Sequence, residues 1–434
     1  MLKNVLLITY YWKPSRGPAI QRWTVFVDEL IRAEVQPIVL TVRDGTYPAV
    51  DSSYDISDDP EFVYRTKTRE PFKVYNWLKG KPKQSAVGLG DASSESSLFS
   101  RLGNFVRANL FIPDARKGWV PFAEQKALEL IEQKEIEHII TTGPPHSTHL
   151  VGLRIKERYP KLFWMADFRD PWVNVYYNKH LLRTAYAWKK DEKLENRVLA
   201  TADQVIVISG GMQREFADRA PAITTVMNGY DKQDFVENPK SLKEKQFVVS
   251  YTGNFTDNQL FDSIWSAFQE IVSEHPLGDK IIFRFTGNVS QGIQNALSHH
   301  NLADRMELHP YCPHDEAVQK MIDSDLLLLL IPIAENNELI ITAKIFEYLA
   351  SGTPILAIGP KKGDAANVLQ KSGRPAMYDY HEKDNIKSYI AQNLERWDVM
   401  DSERFKETSQ AHNQFSRNEQ AKKLIAILKG QSND

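Results

Sequence analysis

A lysine and a glutamate stand three residues apart in a segment that has the pattern of a short helix. Lys344 and Glu347 precede a Gly-Thr-Pro sequence at 352–354 that ends the helix, and an apolar run of strand length follows. Residues i and i+3 share a helix face, so both side chains point to the same side. A cation and an anion there suit a ligand with phosphate and hydroxyl groups. The alternative is an ordinary surface ion pair, worth about 0.2–0.5 kcal/mol.

A second group of charged residues follows a strand-like run at 162–166. Asp167, Arg169 and Asp170 lie within four residues of one another. Two carboxylates and a cation are costly to bury unless they are paired or used in a site. Arg169 and one aspartate could therefore form a structural ion pair, or the group could belong to a site. His146 is a candidate for the same pocket, and its alternative role is that of a loop or capping residue.

The elements that would position these residues alternate between short apolar runs and longer helical patterns. The strand candidates are 5–9, 37–42, 138–142, 162–166, 204–208 and 224–227, followed by 247–252, 280–286, 305–308, 325–331, 354–358 and 376–378. Runs without polar alternation, such as 326–331, are typical of parallel strands that helices cover on both faces. The sequence therefore predicts an α/β fold with two doubly wound parallel sheets of six strands each.

Length predicts two domains, because a chain of 434 residues is too long for one core. We predict a first domain over 1–236, a second over 237–412, and a C-terminal helix and tail over 413–434. The helical pattern at 416–429 is amphipathic and is expected to pack back on the first domain. Residues 44–100 contain no clean strand–helix unit and are predicted to form an irregular insertion of the first domain.

The overall composition excludes several classes of protein. The chain is 42% hydrophobic and 25% charged, as in ordinary globular proteins. Its net charge of −2 gives no attraction to nucleic acid, and its single cysteine, Cys312, excludes a disulfide within the chain. No apolar run approaches the roughly 20 residues that span a bilayer. We therefore expect a cytoplasmic protein without a nucleic-acid partner.

Residues 98–112 combine arginines with an apolar face that includes Leu98, Leu102, Phe105 and Ile112. A helix of this kind either docks on the first sheet or lies in a membrane interface. The second interpretation would make the protein peripheral at the inner membrane face. Both interpretations remain open at the level of sequence.

Several motifs, in the right order, resemble those of the GT-B glycosyltransferases, specifically the family 4-like group of bacterial glycan-assembly enzymes. The loop at 14–19, which contains Gly17, is similar to the family's glycine loop after the first strand. The segments 140–149 and 164–172 resemble its next loop and a characteristic block of the subgroup. The Asn-Gly-Tyr-Asp sequence at 228–231 resembles its hinge motif, and the segment 342–358 its donor-binding helix. The resemblance covers nearly the whole chain.

The resemblance implies the GT-B fold, with two Rossmann-like domains facing across a cleft. It implies a retaining hexosyltransferase that moves a sugar from a UDP- or GDP-linked donor to a glycan or lipid-linked acceptor in polysaccharide biosynthesis, without a metal. The residues that the resemblance makes catalytic are His146, Asp167, Arg169 and Asp170. The residues that it places at the donor are Gly17, Gly253, Asn254, Asn288, Tyr311, Glu338, Lys344 and Glu347. Of these, Glu347 would accept hydrogen bonds from the ribose hydroxyls and Lys344 would face the diphosphate.

Two departures from the family's pattern leave alternatives open. Leu339 stands where many relatives have a second glutamate, although Glu338 is adjacent, and the loop at 254–259 lacks the cations that many relatives place there. An alternative that does not depend on these departures is a nucleotide-sugar epimerase of the same architecture, which would convert the donor without an acceptor. The other is a catalytically weak scaffold within a glycan-assembly complex.

Overall fold

The structure, a computed structural model, contains two compact units. It describes residues 2–47, 49–51, 54–70, 105–106, 108–175, 178, 182–236, 245–400 and 410–431. The first unit comprises Met1–Asn228 together with Gln420–Asp434, and the second comprises Gly229–Glu419. The chain therefore leaves the first unit after residue 228 and returns to it at residue 420.

Within the described residues, the first unit contains a sheet of seven parallel strands. These are β1 (Asn4–Thr9), β2 (Gln36–Val42), β3 (Val63–Thr66), β4 (His138–Gly143), β5 (Phe163–Phe168), β6 (Gln204–Val207) and β7 (Ile223–Thr225). Their spatial order is β3-β2-β1-β4-β5-β6-β7. The order reverses between β1 and β4, and ligands of doubly wound sheets bind at the carboxyl ends of strands beside such a point.

The helices that cover this sheet are α1 (Pro18–Arg32), α2 (Val120–Gln133), α3 (Ser147–Arg158), α4 (Ala185–Thr201) and α5 (Gly210–Phe216). Helix α1 shows why they form. Its buried residues Trp23, Phe26, Val27 and Leu30 recur at the three- and four-residue spacing of an amphipathic helix. Pro occupies the first position of α1, where its missing N–H costs nothing.

The second unit contains a sheet of five parallel strands within the described residues. These are β8 (Phe247–Thr252), β9 (Ile281–Thr286), β10 (Met306–His309), β11 (Leu326–Leu330) and β12 (Ile355–Ile358), in the order β10-β9-β8-β11-β12. The order reverses between β8 and β11. All five residues of β11 are buried, because helices cover both faces of the sheet.

Seven α-helices accompany this sheet in the described residues. They are α6 (Gln233–Val236), α7 (Asp262–Glu274), α8 (Gln291–His299), α9 (His314–Ile322), α10 (Lys344–Ser351), α11 (Asp364–Lys371) and α12 (Lys383–Asp398). Helix α10 buries Ile345, Phe346, Tyr348 and Leu349 and ends at Gly352, which has a φ of 71°. Glycine adopts this left-handed conformation without steric cost, so the predicted helix end is explained.

The last helix, α13 (Arg417–Leu428), packs its apolar side into the core of the first unit. Ala421, Leu424, Ile425 and Leu428 belong to the same buried cluster as Val5 of β1. Their spacing of three and four residues places them on one face. The predicted packing of the C-terminal helix on the first domain is confirmed.

The prediction of six strands in each sheet was wrong, because the described residues contain seven and five. Strand β3 lies inside the segment 44–100, where no clean unit was predicted. It is an edge strand of four half-buried residues, including Arg65, so it lacks an apolar run. The predicted strand at 376–378 is absent from the described strands, and Tyr378 makes only an isolated bridge to Ile358.

Some predictions fall outside the described residues. Residues 71–100, which form more than half of the predicted insertion at 44–100, are outside them, as are residues 98–104 and 107 of the predicted amphipathic helix at 98–112. Among the described helices, none combines the length and apolar character needed to cross a bilayer.

Candidate functional site

The side chains of Lys344 and Glu347 lie on the less buried side of α10, opposite the core residues of that helix. The loops that follow β8 and β9 contain Gly253, Asn254 and Asn288. Backbone hydrogen bonds join these two loops, because the Phe255 N–H donates to the Asn288 carbonyl at 2.8 Å. The loops and the helix thus build one candidate site in the second unit.

Lys344 is held against a tyrosine instead of an acidic partner. Its Nζ lies 3.9 Å from the centroid of the Tyr251 ring and donates to the Tyr251 hydroxyl at 2.5 Å. Burial lowers the pKa of Lys344 to about 7, although the charge of Glu347 opposes this shift. Gly253 has a φ of 100°, and a Cβ there would lie 2.9 Å from Lys344 Cε. A glycine is therefore needed beside this lysine.

Glu347 belongs to a cluster of charged side chains. Its Oε1 lies 3.9 Å from Nε2 of His314, which is 3.0 Å from Oδ2 of Asp234. Burial raises the pKa of Glu347, and the charges of His314 and Arg417 lower it. The hydrogen bond with Asp234 raises the pKa of His314. Among the described residues no donor lies within hydrogen-bond distance of the Glu347 carboxylate, so it is available to a ligand.

The other predicted donor residues are more exposed. Asn254 and Asn288 are exposed at the ends of β8 and β9, and the Asn254 carbonyl accepts a hydrogen bond from the Tyr251 hydroxyl at 2.8 Å. Tyr311 is 79% exposed in the segment between β10 and α9, and Glu338 is exposed in the segment before α10. These positions follow strand ends of one sheet. Their roles stay predictions.

The loop at 254–259 is held by its own polar groups. Gln259 donates to the Leu330 carbonyl at 2.8 Å and to the Tyr251 hydroxyl at 3.0 Å. The Ser290 hydroxyl donates to Asp257 at 2.5 Å. Since the loop contains no lysine or arginine, the positive charge of this site comes from α9, α10 and the start of α13.

A second candidate site lies at the ends of β4 and β5 in the first unit, where Asp167 is fully buried. Its carboxylate accepts hydrogen bonds from Arg22 at 3.0 Å, Trp23 at 3.2 Å and Thr142 at 2.7 Å. These contacts favour a structural ion pair for Asp167, with Arg22 and not Arg169 as its partner. The three donors satisfy the oxygen atoms of this buried carboxylate.

Arg169 and Asp170 are less buried than Asp167. The Arg169 guanidinium donates to the Thr142 hydroxyl at 3.1 Å and to the Pro144 carbonyl at 2.6 Å. Asp170 makes no hydrogen bond to the described residues. Burial raises the pKa of Asp170 to about 6, and the charge of Arg169 opposes the shift. Asp170 can therefore exchange a proton near neutral pH.

His146 is buried in an aromatic stack. Its ring is parallel to that of Trp172 at 5.1 Å, and His149 stacks on Phe168 at 4.3 Å. Burial lowers the pKa of His146 to about 3, so its ring is neutral at pH 7. Any role of His146 in a site is therefore that of a neutral ring. Gly143 leaves room for the His146 ring beside its backbone, because a Cβ there would lie 3.1 Å from His146 Nδ1.

Gly17 precedes α1 with a φ of 126° and no atom within 4 Å of a Cβ built on it. Its carbonyl accepts the N–H of Ile20 and of Gln21, which begins the helix. The conformation requires glycine, and the open space beside it leaves room for an anion at the helix start.

Sequence reasoning missed Arg22, Asp234 and Arg417, and it did not place His314 beside Glu347. Arg22 had a signal, because it shares the apolar face of α1 with Phe26, and its guanidinium lies 4.7 Å from that ring. The other three come from segments far from Glu347 along the chain, and no spacing in the sequence relates them.

Solved structures of glycosyltransferases are similar to the whole chain. Sucrose-phosphate synthase from Thermosynechococcus elongatus has a TM-score of 0.60 at 12% identity, covering 99% of this chain and 98% of that chain. The lipopolysaccharide outer core galactosyltransferase WaaB has a TM-score of 0.56 at 10% identity, covering 98% and 99%. A variant of S. aureus TarM in complex with UDP and α-GlcNAc-glycerol has a TM-score of 0.57 at 10% identity, covering 98% and 99%.

No protein-family model matches the chain, and no curated protein matches it. At identities of 10–12% the structural likeness shows the fold. The chain has the GT-B fold, and the predicted fold class is confirmed.

Proposed function

We propose that the protein is a retaining GT-B glycosyltransferase that transfers a sugar from a nucleoside-diphosphate sugar to a glycan or lipid-linked acceptor. The observation that carries the proposal is the pair on α10. Lys344 has no carboxylate within ion-pair distance among the described residues, and Glu347 lacks a hydrogen-bond donor there. A donor sugar would supply phosphate to the first and ribose hydroxyls to the second.

The roles within the donor site follow from charge. Lys344, protonated in the complex, would stabilise the negative charge that develops on the leaving diphosphate. Gly253 would let its backbone approach the diphosphate. Asn254, Asn288, Tyr311 and Glu338 would complete the donor site. UDP- and GDP-linked sugars are the donor classes proposed, and TarM is a protein of this fold that has been seen with UDP.

In the first unit, Asp170 and Arg169 would contact the acceptor or the transferred sugar. A carboxyl group with a pKa of about 6 is suited to proton exchange with an acceptor hydroxyl. Asp167 would act through its hold on Thr142, which also binds Arg169. The Gly17 loop would meet an anionic group. The proposed reaction needs no metal. The proposed location is the cytoplasm or the inner membrane face.

A catalytically weak scaffold is the second candidate, and the cation-free loop at 254–259 favours it. Such a scaffold would bind a nucleoside diphosphate without turnover. An epimerase of the same fold would convert the donor without an acceptor.

The test is a donor-consumption assay with UDP- and GDP-linked sugars, with and without glycan acceptors, in the presence of EDTA. The proposal expects acceptor-dependent nucleotide release, with loss in Glu347→Ala and Asp170→Asn. Glu274→Ala, which removes an exposed carboxylate on α7 that pairs with Lys387, is the matched control and should stay active. Donor conversion without an acceptor would identify an epimerase, and binding without conversion would identify a scaffold.

A further inference from the structure

Beside α10, His314 and Asp234 are not used by the donor chemistry proposed above. His314 begins α9, and its Nε2 lies between Oδ2 of Asp234 at 3.0 Å and Oε1 of Glu347 at 3.9 Å. The other charged groups that act on His314 or Glu347 are Lys344 and Arg417. Two carboxylates therefore face one imidazole.

Glu347 needs a nearby cation to stay ionised. The Glu347 side chain is only 15% exposed, and burial favours the neutral form of a carboxyl group. A neutral carboxyl group has one oxygen that donates, so it accepts poorly from two vicinal hydroxyls. Of the cations that lower the pKa of Glu347, His314 and Arg417 act more strongly than Lys344.

We propose that His314 is a positioning residue of the donor site, which keeps Glu347 ionised and ready to accept hydrogen bonds from the ribose hydroxyls. Asp234 holds the imidazolium by its hydrogen bond. The inference rests on the proposed donor site and adds a residue that acts through Glu347.

The pH dependence follows from the signs of the interactions. Below its raised pKa, His314 is charged and disfavours protonation of Glu347. Glu347 in the native protein therefore stays ionised to a lower pH than it would beside a neutral residue. At alkaline pH Glu347 is ionised whether His314 is charged or neutral. Loss of the imidazole charge should therefore weaken nucleotide binding at acidic pH.

The experiment is calorimetric titration of UDP, GDP and ADP from about pH 5 to about pH 8. His314→Gln retains a hydrogen-bond donor toward Asp234 but no charge. On acidification, we expect nucleotide binding by this variant to weaken at a pH about one unit higher than in the native protein. At about pH 5 its affinity should be about tenfold lower than that of the native protein, and at about pH 8 the two affinities should be nearly equal. His314→Asn, a second neutral variant, should raise the pH at which binding weakens in the same way.

The matched control is His300→Gln, because His300 also lies 3.0 Å from an aspartate, Asp262, outside this cluster. Its binding profile should equal that of the native protein. A His314→Gln profile that is weaker by the same factor at every pH would overturn the inference and leave the donor site standing. If the native protein binds none of the three nucleotides at any pH, the proposed function fails and this inference fails with it.

Discussion

Asp167 and Asp170 are neighbours in sequence, but their surroundings differ. Asp167 is fully buried and accepts hydrogen bonds from three side chains, one of them the Arg22 guanidinium. Asp170 makes no hydrogen bond to the described residues, and burial raises its pKa to about 6. We therefore expect the first carboxylate to contribute mainly to stability, and the catalytic role of the second stays a prediction.

Asp167→Ala should destabilise the protein by about 3–5 kcal/mol, because it leaves the Arg22 charge buried without its carboxylate. Urea unfolding measures this loss. Glu124→Ala removes one partner of an exposed pair with Arg154 and should change stability by less than about 1 kcal/mol. Equal stability of the Asp167 variant and the native protein would contradict the structural role of this ion pair.

Nucleotide binding should depend on the protonation of Lys344. Its pKa is lowered to about 7, so the side chain is charged below that pH and loses its charge above it. A cation is needed for the diphosphate, so the affinity for UDP or GDP should fall as the pH rises through about 7. Lys344→Met should bind more weakly and lose this dependence. A native profile that stays flat from about pH 6 to about pH 9 would show that Lys344 does not bind the diphosphate.

At the scale of elements, the sequence was sufficient to predict eleven of the strands, because most of them are parallel strands that helices cover on both faces. Strand β3 escaped prediction because an edge strand containing Arg65 needs no apolar run. The segment at 376–378 has a strand-like pattern, but only Tyr378 bridges to β12. The other edge strands, β7, β10 and β12, were predicted from their own sequences, so β3 was missed because its sequence lacks an apolar run.

Residues of the candidate sites could be predicted from the sequence where they lie in a single segment of the chain. Lys344 and Glu347 share one helix, and Arg169 follows one strand. His314 and Arg417 reach Glu347 only after the fold has brought α9 and the start of α13 beside α10. No local pattern relates these segments, so this part of the site required the structure.

Gly253→Ala should weaken nucleotide binding at least tenfold, because the new Cβ would displace Lys344 and the φ of 100° would be strained. Gly430→Ala is a suitable control. Gly430 also has a positive φ, of 68°, but no atom lies within 4 Å of a Cβ there. Both variants place a Cβ at a positive φ, so comparing them by calorimetric titration with UDP and GDP separates a general effect of such a substitution from an effect at the donor site. Equal nucleotide affinity in Gly253→Ala and Gly430→Ala would contradict the proposed position of Gly253 beside the diphosphate.

At the scale of the whole molecule, the chain forms two compact units and ends in the first of them. The predicted division at residues 236 and 237 falls in the second unit, whose first residue is Gly229. The assignment of acceptor to the first unit and donor to the second stays a prediction. The return of α13 has its physical reason in the apolar face that it buries.

Leu424→Ala should cost the protein about 2–5 kcal/mol, because Leu424 is fully buried in the core cluster that contains β1. Ile427→Ala, on the same helix but only partly buried, should cost less. Urea unfolding followed by tryptophan fluorescence compares the two, since Trp23 belongs to this cluster. A larger loss for Ile427 than for Leu424 would contradict the packing of α13.

We propose that the second unit binds a nucleoside diphosphate through Glu347 and Lys344. The most direct measurement is thermal stability against concentration series of UDP, GDP, ADP and CMP, with Glu347→Ala alongside. We predict that one nucleoside diphosphate stabilises the native protein by about 2.7 kcal/mol at a hundredfold excess over its Kd, and that the variant loses this effect. No stabilisation by any of the four, or an equal effect in Glu347→Ala, would contradict the claim.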